Sequence, residues 1–282
     1  MPAHAPWLIL IPSYLLLWPP ATRRLALIGI AAGLLLAAIG GQIDARVLAP
    51  LALLGASAWA VWQGSPQGAS ARGWLTPVGH AVFVLTALGL ALHLFPGFHN
   101  TRVIDGVRFD PRAVPFTLYL NFDKPLVAAW ILLVLAPPCL GRSAAATLRA
   151  AWMATAAACL ACLGLAWLFD YTRWSPHWPA QGGIWLLNNA VLVTLAEEAF
   201  FRGYVQQQLS RRLGFAAACG IAALLFGLAH WAGGPAMIAL ATVAGLCYGW
   251  AYRHGGLAAA VAAHLGLNTV HFGLFVYPAL AG

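Results

Sequence analysis

The 282-residue chain is poor in charge. Asp, Glu, Lys and Arg together make up 8% of it, where a soluble domain carries about 25%. Hydrophobic residues reach 62% and mean hydropathy is +0.79. This scarcity excludes a sizeable soluble domain and implies an integral membrane protein. Of 15 basic residues only Lys124 is a lysine, and the arginines stand singly or in pairs without forming a stripe. Nucleic acid is therefore not an expected partner. The net charge of +8 is read instead as setting orientation and contacting anionic headgroups of the bilayer. No H-E-x-x-H occurs, so the sequence does not carry that zinc-peptidase signature. The five cysteines all lie in or at the end of apolar stretches. Cys159 and Cys162 form a C-x-x-C within a helical run of Ala and Leu, which reads as buried, inert thiols.

What is present is a series of apolar segments, at about 7–21, 25–40, 47–63, 75–95, 125–140, 150–169, 184–209, 214–231, 235–252 and 256–277. The expected fold is an all-α polytopic bundle of eight to ten transmembrane helices. The first apolar run has no basic residue before it and Arg23-Arg24 behind it, so it is expected to be a first span rather than a leader. Residues 1–124 are expected to form N-terminal helices with an interfacial loop at 96–124, in which Phe116–Leu120 lies on the membrane. Residues 125–282 form further helices and hold the core of the site at about 184–275. Arg211 and Arg212 put the C-terminal end of the 184–209 segment in the cytoplasm. The excess of Arg over Lys, with abundant Ala, Gly and Pro, points to a GC-rich bacterial genome and an inner-membrane location.

The two glutamates, the only ones in the chain, are adjacent: Glu197-Glu198, inside an apolar helix. An ionised group near a bilayer's centre costs about 2.5–3.5 kcal/mol on insertion scales, so Glu197, Glu198 and Arg202 within six residues call for a function. Glu198 and Arg202 stand at i, i+4 with the acid first, the favourable order for an ion pair. Glu197 points about 100° away and has Phe201 at its own i+4, which leaves it free for proton transfer. The following segments carry Phe226 and His230, then His264 and Asn268 at i, i+4. Gly203, Gly227, Gly245, Gly249 and Gly266 let these helices approach closely. Asn188, Asn189, Tyr248 and His271 are further candidates for lining the site.

The order Glu-Glu-x-x-x-Arg (Glu197, Glu198, Arg202), Phe-x-x-x-His (Phe226, His230) and His-x-x-x-Asn (His264, Asn268) resembles the CAAX-endopeptidase and bacteriocin-processing (CPBP, or Abi) family of intramembrane proteases. The resemblance covers about residues 184–275. It implies that Glu197 and His230 activate a water for attack on a peptide carbonyl. It also implies that His264 and Asn268 donate to the oxyanion, and that Glu198 and Arg202 hold the helix geometry. No cofactor is required on this reading. Zinc on Glu197, His230 and His264 is the alternative, since members of the family have been described both ways. The implied partners are the bilayer and a membrane-associated protein or peptide substrate. Two rival readings stand beside it: an ion- or proton-coupled transporter, which should show broken helices or inverted repeats, and a non-catalytic scaffold or immunity protein of the same fold. Neither feature of a transporter is found in the sequence.

Overall fold

The structure is a computed structural model that describes residues 4–65 and 73–281. It is an all-α multi-pass membrane protein with one small hairpin. Five helices are long and apolar enough to cross a bilayer: Pro20–Ile39, Ala45–Gln63, Ala144–Leu168, Gly182–Ala229 and Trp231–Leu274. Leu75–Ala91 and Lys124–Leu135 are apolar but shorter. The last two long helices are called here the glutamate helix (Gly182–Ala229) and the histidine helix (Trp231–Leu274). Each joins two helices across a kink at a glycine of positive φ, Gly214 (φ 75°) and Gly256 (φ 73°), so four apolar segments of the sequence become two kinked helices.

The chain forms two units. One comprises residues 1–101 and 120–136, the other 102–119 and 137–282. In the first, Trp7 stacks on Phe122 at 4.4 Å and Phe83 on Trp130 at 3.8 Å. The Trp130 indole donates to the Leu54 carbonyl. The second holds all the candidate site residues. Its core is built from small side chains: Ala150, Ala154 and Ala158 of the Ala144–Leu168 helix meet Ala244, Ala251, Ala259 and Ala263 of the histidine helix. Inside a membrane apolar burial does not drive helices together, and small residues gain contact by letting backbones close up.

The segment 96–124, expected as an interfacial loop, is not wholly irregular. It contains an antiparallel pair, β1 (Thr101–Val107) and β2 (Phe116–Leu120). Both runs are rich in β-branched and aromatic residues, and β2 alternates in burial, so one face is apolar. That face covers Trp185 and Phe272 through Ile104 and Leu118, which is why 102–119 belongs with the second unit rather than with the N-terminal helices. Asp110 ties the region further, accepting from Ser175 Oγ at 2.7 Å and pairing with Arg112. Those bonds hold its carboxyl well below the usual carboxylate range.

After the Gly256 kink, the N–H groups of Leu257 and Ala258 have lost their helical acceptors. The carbonyls of Pro138 and Cys139 take them at 2.9 Å each. Closer to the site, Gly227 is where the two long helices touch. A Cβ there would sit 1.9 Å from Thr242 Oγ1 and 2.6 Å from the Ile238 carbonyl oxygen. Gly227→Ala is expected to destabilise the detergent-solubilised protein by about 1–3 kcal/mol, the usual cost of overpacking. Gly220→Ala, which would meet nothing within 4 Å, should melt like the parent. Equal melting of both variants would mean that the helices have room to part.

Candidate active site

The glutamates lie in a five-residue α-helical stretch, Thr194–Glu198, bracketed by π-helical turns at Asn189–Val193 and Ala199–Gln206. Such turns widen a helix by one residue and are common at functional sites. Glu198 and Arg202 are fully buried, at 0% exposure each. Arg202 Nη1 donates to Glu198 Oε1 at 3.2 Å. Nε also lies 3.2 Å from Oε2, though too poorly aligned to count as a hydrogen bond. Arg202 Nη2 donates to the Gly245 carbonyl at 3.0 Å, and one turn on Gln206 Nε2 donates to the Gly249 carbonyl at 3.0 Å. Two glycines four apart thus offer carbonyls to two donors four apart. The guanidinium also stacks over aromatic faces, 4.6 Å from the Phe226 centroid and 5.3 Å from that of Tyr248.

Glu198 has a second partner that i, i+4 reasoning misses. His264 Nδ1 donates to Glu198 Oε1 at 2.9 Å, so one carboxylate joins Arg202 to an imidazole of the histidine helix. With Nδ1 occupied, His264 presents Nε2, which stands 3.9 Å from Glu197 Oε2. That is too long for a hydrogen bond and short enough for a bridging group to touch both. The Glu197 side chain is 31% exposed, unlike its neighbour, and this is its only ion-pair contact among the described residues.

His230 ends its helix. Its backbone cannot continue the ladder, and Nδ1 donates instead to the Phe226 carbonyl at 2.8 Å. The spacing Phe-x-x-x-His makes that bond and lays the two rings 4.7 Å apart. With the proton on Nδ1, the lone pair of Nε2 is free. Phe226 also meets His264 edge-on at 5.6 Å, and so carries both imidazoles and the guanidinium on one ring. Tyr248 stacks flat on His264 at 4.6 Å.

Asn268 Nδ2 donates to Asn189 Oδ1 at 3.2 Å, and Asn189 Nδ2 donates to the Trp185 carbonyl at 3.0 Å. Of the other candidates, Asn188 is buried, with neither amide atom partnered among the described residues, and His271 lies against Tyr277 at 5.1 Å. Two cavities, of about 520 and 440 Å³, are lined by residues such as Leu160, Trp167, His177 and Leu274, and by neither Glu197 nor His264. Among the described residues no three His, Cys, Asp or Glu side chains stand where they could hold a metal ion. As placed, Glu197, His230 and His264 do not fit a zinc site.

Fold and site together describe a multi-pass membrane protein in whose helices Glu197 stands beside His264, Phe226 lies against both His230 and His264, and Asn268 pairs with Asn189. Residues 178–270 match the family model described as "Type II CAAX prenyl endopeptidase Rce1-like", in agreement with the resemblance carried by the three motifs. No curated protein and no solved structure matches the chain.

Proposed function

We propose that the protein is an intramembrane endopeptidase that hydrolyses a peptide bond of a membrane-associated protein or peptide. The observation that carries this is the contrast between the two glutamates. Glu198 is committed to Arg202 and His264, whereas Glu197 is partly exposed with its carboxylate beside an imidazole. The match of 178–270 to an endopeptidase family supports the same reading.

On this proposal Glu197 takes a proton from water, and the lone pair on His230 Nε2 helps to align it. The hydroxide adds to the scissile carbonyl carbon. The oxyanion accepts an N–H from Asn268 Nδ2 and one from His264 Nε2, the doubly protonated ring having Glu198 as its counter-charge. The tetrahedral intermediate then collapses and breaks the C–N bond, and Glu197 returns its proton to the leaving amine. The mechanism is proposed to run without metal.

The test is cleavage by the protein reconstituted in liposomes, against a panel of peptides held in the bilayer by a hydrophobic anchor and read by mass spectrometry. Cleavage is expected, at a rate that a chelator leaves within about twofold, a change of only about 0.4 kcal/mol in barrier. Loss of cleavage in chelator with stoichiometric zinc in the untreated protein would overturn the metal-free mechanism. No cleavage together with ion flux through the liposomes would overturn the peptidase.

A further inference from the structure

We infer that Asn189 is a positioning residue for the oxyanion site, an inference that rests on the proposed peptidase reading. An Asn side chain has two faces of opposite character, and among the described residues the one side-chain hydrogen bond of Asn268, to Asn189, decides which face it turns to the substrate. Asn189 makes that decision through a directed chain of hydrogen bonds. The Trp185 carbonyl can only accept, so Asn189 gives it Nδ2 at 3.0 Å and turns Oδ1 the other way. Oδ1 can only accept in turn, so Asn268 must offer Nδ2 at 3.2 Å rather than its oxygen. The second N–H of Asn268 is left for the substrate. Without Asn189, the Asn268 amide is free to flip and set a carbonyl oxygen against a developing oxyanion.

The backbone provides a second, independent observation. The Asn189 carbonyl accepts from the Thr194 N–H five residues on, the bond of a π turn, and from Thr194 Oγ1 at 2.9 Å. In a regular α-helix Asn189 and Glu197, eight residues apart, would be rotated by about 80°. One residue taken up by the π turn brings that to about −20°, so both side chains share the face turned to the histidine helix. Glu197 then meets His264 while Asn189 meets Asn268, one turn apart on an antiparallel partner.

The experiment uses the full-length protein with an anchored peptide that it cleaves. Asn189→Leu is expected to lower kcat about 10- to 100-fold with KM within twofold, somewhat less than the 10²–10³ that removing an oxyanion donor outright costs. Asn189→Asp, which keeps an oxygen facing Asn268, should recover part of the rate. In a double-mutant cycle, Asn189→Leu added to Asn268→Leu should cause no further loss, since it acts only through Asn268. Full activity of Asn189→Leu, or losses that simply multiply, would overturn the inference. If leucine prevents folding, Asn189→Ala serves in its place, and failure of both to fold would show the amide to be structural and overturn it as well. A fully active Asn268→Leu would instead sink the peptidase site itself, which keeps the two failures apart.

Discussion

Glu197→Gln should give a protein that folds, inserts and melts like the parent but no longer cuts. The substitution keeps size and polarity and removes only the capacity to take a proton from water and pass it to the leaving amine. General base and acid catalysis is worth about 10²–10⁴ in rate, and a single group serves both steps here, so kcat should fall by at least about 10³. Stability should hardly move. Glu197 is partly exposed, and its nearest ionisable partner, His264 Nε2, is 3.9 Å away, so little native interaction is lost. The measurement is single-turnover cleavage in liposomes beside a thermal melt in detergent. A glutamine variant that retains more than a tenth of the parent rate would remove Glu197 from the role of base. Equal loss of rate and of folding would recast the cluster as a structural polar network.

The difference between the two glutamates could be read in part from the sequence, because i, i+4 spacing is a property of the helix alone: Glu198 reaches Arg202 and Glu197 does not. The bundle was legible for an equally simple reason, since a chain with 8% charge and apolar runs of span length has few other ways to satisfy its backbone. Contacts between helices were not legible. Nothing local reveals that Glu198 also holds His264, or that Gly245 and Gly249 offer their carbonyls to Arg202 and Gln206. Gln206 carried a usable signal, being four residues beyond Arg202 on the same face. The π turns carried none. Asn188 and Asn189 therefore looked equivalent, although one reaches Asn268 and the other has no side-chain partner among the described residues. The hairpin was hidden by the opposite fault. Phe116–Leu120 does alternate, but in so apolar a chain a five-residue run reads first as a membrane-lying segment.

Glu198→Gln should fail in the complementary way, with stability lost first and activity only as a consequence. Arg202 is completely buried, and Glu198 is the only carboxylate it contacts among the described residues. Its other contacts, the Gly245 carbonyl and the Phe226 and Tyr248 rings, satisfy hydrogen bonds and soften the field without neutralising the charge. Removing one partner of a buried pair strands the other, at a cost of about 3–5 kcal/mol, and here the stranded groups include the His264 Nδ1–H as well. The melting temperature in detergent should drop well below that of Glu197→Gln. Arg202→Lys in the parent should lower it as well, because an ammonium cannot reach Glu198 and Gly245 together while lying flat on Phe226. A Glu198→Gln protein with the parent's melting temperature would show that the pair carries no structural weight. Two adjacent acids of identical chemistry are thus separable by experiment, one through rate and the other through stability, since a helix turn of about 100° gives the first to water and the second to an arginine.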